Sequence, residues 1–133
     1  MWTLKSYVEN SGSDVIQLWH ETYSGKRHLK ARVRLYVATK YLQQQPLAGW
    51  NGPYFHFLKG TKGLGRIGFD VGNIAYRLIG FFGPGPHEFS FLTFAEEHDD
   101  EYLPKGCKER AVSRMNSLVL GHGSVVGARF GNK

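Results

Sequence analysis

Apolar and polar residues alternate weakly from Trp2 to Glu9, which predicts a first strand. Ser11-Gly12-Ser13 breaks it. Asp14, with Gln17 three residues later, forms a capping-box pattern, and Val15, Leu18, Trp19 and Tyr23 give a short helix over 14–23 its apolar stripe. Ser24-Gly25 separates this from a longer helix over 26–45. There Leu29, Val33, Tyr36, Val37 and Tyr41 recur at helical spacing and are expected to face the core. Pro46 and the Gly49-Trp50-Asn51-Gly52-Pro53 stretch end that helix in a loop.

From Tyr54 onward the period changes to two. Strands are expected over 54–59, 64–71, 74–82 and 87–95, joined by turns at Gly60–Gly63, at Gly72-Asn73 and at Gly83-Pro84-Gly85-Pro86. Helical spacing returns over 107–120 with Ala111, Met115 and Leu118, and Gly121 stops it. Long runs of one element type predict an α+β fold with helices on one face of a small, largely antiparallel sheet. Residues 1–121 read as a single domain, and the Gly-rich segment 122–133 as a partly mobile tail.

With Gly72-Asn73 as the turn, Val71 faces Ile74, Phe69 faces Tyr76 and Ile67 faces Leu78, so that face is wholly apolar. The other face pairs Asp70 with Ala75, Gly68 with Arg77, and Arg66 with Ile79. Arg66 and Arg77 then lie diagonally, about 7–8 Å apart at Cβ. Gly68 is expected to leave open space beside Arg77. Continuing the alternation across the Gly-Pro-Gly-Pro turn puts Ser90, Leu92 and Phe94 on that same face, with Glu96 and His98 beyond them.

The chain has 133 residues, enough for one core and not for two. No apolar run is long enough to span a bilayer, and the N-terminus lacks the pattern of a secretory signal, so a cytoplasmic location and no membrane partner are expected. The single cysteine, Cys107, excludes an internal disulfide and a cysteine-based zinc site, and reads as a core or helix-start thiol. No metal or cofactor is expected; the Gly60–Gly65 run lies between strands, not before a helix as a phosphate loop requires.

The net charge is +6. Residues 1–60 carry eight Lys/Arg against three Asp/Glu, and residues 61–133 nine against eight, because Glu96-Glu97-His98-Asp99-Asp100-Glu101 neutralises the second half. A basic body points to a polyanionic partner. Arg27, Lys30 and Arg34 share one helix face, read either as a solvated surface or as an RNA-facing ridge.

Leu58 to Phe69 (LKGTKGLGRIGF), followed by Ala75 to Phe82 (AYRLIGFF), resembles the RelE/HigB toxins, particularly their phage-derived HigB-like branch. The third strand through Phe94, Pro104 before the last helix, and Ala111 and Arg114 within it continue the resemblance through residue 120. It implies a small sheet with an N-terminal helix pair and a C-terminal helix. It also implies a type II toxin: an mRNA endoribonuclease, acting on the ribosome in many relatives and held in check by a cognate antitoxin, here expected to be a helix-turn-helix protein. Such enzymes need no metal; the ribose 2′-hydroxyl attacks the adjacent phosphate while basic groups stabilise the charge and an acid/base pair moves protons.

The resemblance assigns Arg77 as the retained cation, with Arg66 in place of the family's glutamate and Gly68 in place of its arginine. Glu96 and Glu97 stand where the family has a lysine pair, as candidate bases, and His98 is a candidate acid. Lys59 and Lys62, with Arg27, Lys30 and Arg34, are candidate RNA-binding residues. A second reading is a non-catalytic RNA- or protein-binding module on the same fold. The two differ in whether Arg66, Arg77 and an acid or base converge.

Overall fold

The computed structural model describes residues 1–130. The strands are β1 (Thr3–Tyr7), β2 (Phe55–Phe57), β3 (Leu64–Val71), β4 (Ile74–Phe82), β5 (Glu88–His98), β6 (Glu101–Leu103) and β7 (Val125–Gly127). The helices are α1 (Val15–Thr22), α2 (Leu29–Gln43) and α3 (Cys107–Val119), with short 3₁₀ turns at Lys26–His28 and Leu47–Gly49. The fold is α+β, with one sheet in the order β2-β3-β4-β5-β1-β7 and β6 paired to β5. Every pairing is antiparallel except β1 with β5.

The β3–β4 hairpin has the expected register throughout, from Leu64 opposite Phe81 to Val71 opposite Ile74. The next pairing does not keep the expected alternation. Ile79 faces Thr93 but Gly80 faces Phe91, so Leu92 is an extra residue in β5. A bulge of this kind moves every later side chain to the other face. Ser90 and Leu92 stay on the face of Arg77, whereas Phe94 and Glu96 pair with Leu78 and Tyr76 on the opposite one. Arg114 holds the bulge: its Nη1 donates to the Leu92 carbonyl oxygen at 2.7 Å, its Nη2 donates to Glu9 Oε2 at 2.9 Å, and its guanidinium lies 4.8 Å from the centre of the Tyr7 ring.

Both faces of the sheet are covered, so the helices do not all share one side. On one face Val15, Ile16 and Trp19 of α1 and Ala31, Leu35, Ala38 and Leu42 of α2 pack on Leu4, Ile67, Tyr76, Leu78 and Phe91. On the other, Cys107, Ala111 and Leu118 of α3 pack on Leu64, Ile79, Phe81 and Leu92. The start of α1 is tied to β1 by one relay: Ser6 Oγ donates to Asp14 Oδ1 at 2.7 Å, and accepts from the Ile16 N–H at 2.9 Å. Asp14 also caps the helix by accepting from the Gln17 N–H at 3.1 Å.

α2 lies on the sheet by the face opposite to the expected one. Leu29, Val33, Tyr36, Val37 and Tyr41 are exposed, between 41% and 54%. The face that packs carries two alanines, Ala31 and Ala38, whose small side chains let the helix approach the sheet while Leu35 and Leu42 fill the gaps.

The segment read as a tail also supplies structure. Val125–Gly127 pairs antiparallel with β1, and the Phe130 ring lies 5.7 Å from that of Phe91. Residues 131–133 of that segment lie outside the described residues. Asp99 and Asp100, from the acidic run, form the two-residue turn between β5 and β6, both at positive φ. Among the described residues no helix is long and apolar enough to cross a membrane.

Candidate functional site on the α3 side of the sheet

Arg66 and Arg77 stand on the same face, one pleat repeat apart, as the hairpin register requires. The space above Gly68 is not open: the Arg66 guanidinium and the Arg77 side chain lie over it, where a Cβ on Gly68 would meet both. Arg77 Nε donates to Glu97 Oε1 at 2.8 Å, and its Nη1 donates to Asp70 Oδ1 at 3.1 Å and to the Tyr76 carbonyl at 2.9 Å. Its side chain is only 11% exposed. Burial works against its charge, but the hydrogen bonds to Glu97 and Asp70 outweigh that and raise its pKa. Arg66, half-buried, makes no ion pair among the described residues.

Glu97 is brought to this face by the bulge, and β6 places Tyr102 directly opposite it. Burial pushes the Tyr102 phenol up; Arg66 pulls it down, Glu97 pushes it up further, and Arg77 opposes. The Lys108 ammonium sits 4.9 Å from the centre of the Tyr102 ring. Tyr102 and Asp70 therefore belong to the cluster although sequence reasoning did not single them out. For Tyr102 the signal was present: Asp99-Asp100 followed by Glu101-Tyr102-Leu103 is a turn and a return strand.

The other expected residues lie elsewhere. Glu96 and His98 are on the side of α1 and α2, where His98 Nε2 is 3.3 Å from Glu96 Oε1 and the Tyr23 hydroxyl donates to Glu96 Oε2 at 2.8 Å. Tyr23 leans on Tyr76, whose hydroxyl is 2.7 Å from His28 Nδ1. Burial pushes both phenols up, and Glu96 adds to each shift. Lys59 and Lys62 are exposed in the β2–β3 turn, and Arg66 is the third residue of β3. Arg27, Lys30 and Arg34 are exposed around α2, which packs on the opposite face of the sheet. The cations expected to bind RNA thus form two separated surfaces.

An open groove of about 1340 Å³ runs between α1, the C-terminal half of α2, β1 and β7, with His20, Lys40 and Phe130 in its walls and none of the expected site residues in its lining. Burial lowers the His20 pKa. Cys107 is buried and its thiol is pushed up by burial, as expected of a core thiol. Among the described residues no three His, Cys, Asp or Glu side chains gather as a metal site requires. No family model, no curated protein and no solved structure matches the chain.

Proposed function

We propose that the chain is a RelE/HigB-like toxin ribonuclease that cleaves mRNA without a metal on the face where Arg66, Arg77, Glu97 and Tyr102 meet. The observation that carries this reading is the Arg66 guanidinium, without an ion pair among the described residues, beside the Arg77–Glu97 pair on one side of the sheet. Guanidinium stays charged and can bind two phosphate oxygens at once. Arg66 holds the scissile phosphate, and Lys59 and Lys62 hold the backbone beside it. Arg77 acts as a positioning residue that aims Glu97 through its hydrogen bond. Glu97 accepts the proton of the 2′-hydroxyl, whose oxygen attacks phosphorus. The bond from phosphorus to the 5′-oxygen breaks, and Tyr102, which burial keeps protonated, donates its proton to that oxygen. The products are a 2′,3′-cyclic phosphate and a 5′-hydroxyl. Glu97 then returns its proton to the phenolate through solvent. The cognate antitoxin of such a toxin is a helix-turn-helix protein.

One observation favours a second reading, a non-catalytic RNA- or protein-binding module: Asp70 and Glu97 already neutralise Arg77. Incubation of the purified protein with mRNA in EDTA, with and without ribosomes, separates the two. Cyclic phosphate ends from the wild type, and their loss in Tyr102→Phe, support the ribonuclease. No cleavage by the wild type under either condition gives the second reading.

A further inference from the structure

α2 turns its larger apolar side chains away from the protein. Leu29, Val33, Val37 and Tyr41 recur every four residues, with Tyr36 three after Val33, and each of the five is at least 41% exposed. Tyr54 extends the stripe, its ring 6.2 Å from that of Tyr41. A continuous exposed apolar stripe on a small protein marks a surface that another molecule covers. Helical spacing of aliphatic and aromatic residues is the pattern by which one helix packs along another.

The charge around the stripe selects the occupant. Lys30 and Arg34, one residue after Leu29 and Val33, run along its edge, and Arg27 continues that edge. All three are exposed. Between Glu21 and Asp70 the chain has no Asp or Glu, while it carries nine Lys and Arg. A second copy of the chain would bring this basic edge against itself, with no carboxylate in that segment to pair with it. A nucleic acid would satisfy the cations but not Leu29, Val33 and Val37, which have no flat face to stack on bases. We infer that the exposed face of α2 docks an acidic amphipathic helix of a partner protein, its apolar stripe on Val33 and Val37 and its carboxylates on Arg27, Lys30 and Arg34. The site is separate from the Arg66 face and stands with either reading of that face.

The probe is a synthetic amphipathic helix of about 20 residues, with Leu at three- and four-residue spacing and Glu flanking it. It is compared with the same peptide carrying Lys for Glu, and with a short single-stranded RNA. The full chain binds the Glu peptide, and Val33→Asp or Val37→Asp each weakens it about tenfold or more. The double variant Lys30→Glu/Arg34→Glu, which alters no packed side chain, switches preference to the Lys peptide. Four results each overturn the inference: no binding of the Glu peptide, equal binding of the Lys peptide by the wild type, binding of the RNA that Val33→Asp abolishes, or a wild-type dimer that Val37→Asp disperses.

Discussion

Arg77 Nε donates to Glu97 Oε1 at 2.8 Å across the β4–β5 pairing, and this pair exists because one extra residue, Leu92, moves Glu97 to the face of Arg77. Without the bulge, Glu97 would lie on the side of α1 and Glu96 beside Arg77. The two adjacent glutamates therefore take separate positions. Glu97 joins the arginine face, and Glu96 accepts from Tyr23 under α1.

The pair makes Arg77 a structural residue. Arg77→Ala leaves Glu97, 24% exposed, without its partner, and strands the hydrogen bond to the Tyr76 carbonyl. Removing one member of a fully buried pair costs more than this partly exposed one, so the expected loss is about 2 kcal/mol. A urea midpoint that falls at unchanged slope checks it. Because the fold is weakened, loss of activity in this variant does not by itself identify a catalytic role.

The bulge gives a second prediction. A Cβ on Gly80, the residue at the register shift, would stand 2.8 Å from Phe89 Cε2 and would collide with the carbonyl oxygen of Ser90. Backbone cannot yield as a side-chain tip does, so Gly80→Ala is expected to cost about 3 kcal/mol, the upper end for overpacking. Gly68→Ala meets the flexible end of Arg66 and, at 3.0 Å, Cδ of the anchored Arg77, so its urea midpoint is expected to fall, but by less than that of Gly80→Ala.

Three of the seven tyrosines, Tyr23, Tyr76 and Tyr102, have phenols pushed up from the ordinary value of 10.0, each mainly by burial. A folded pKa raised above the unfolded one gives stability that is complete below the unfolded value and lost as pH rises through the folded one. Stability is thus expected to hold up to about pH 10 and to fall above it. Phenolate absorbance should show a late-ionising fraction that contains these three. Tyr23→Phe should shrink the late fraction without changing the early one.

The β3–β4 hairpin was legible because Gly72-Asn73 fixes the turn and each strand sorts its residues cleanly between the two faces. The β4–β5 register was not, since Phe89 to Phe94 is apolar enough on both faces that no slip is penalised by the pattern. Only the contact of Arg114 with Leu92, made by residues 22 apart, marks the bulge. α2 misled for a related reason. It carries two apolar faces, and the bulkier one has the stronger core pattern, whereas the face with Ala31 and Ala38 is the one that packs closely. β7, three residues among glycines, is too short to announce a strand; pairing with the edge of β1 creates it. The Arg66–Arg77 juxtaposition followed from the hairpin, while Tyr102 depended on the β5–β6 turn at Asp99-Asp100.

Arg66 decides the matter most directly, because its guanidinium pairs with no carboxylate among the described residues and its loss should not disturb the fold. The measurement is the rate of mRNA cleavage in EDTA by wild type and Arg66→Ala, with thermal midpoints recorded alongside. The expected result is cyclic phosphate ends from the wild type and a rate lower by about a hundred- to a thousandfold in the variant, at an unchanged midpoint. Cleavage by Arg66→Ala at the wild-type rate would contradict the proposed site.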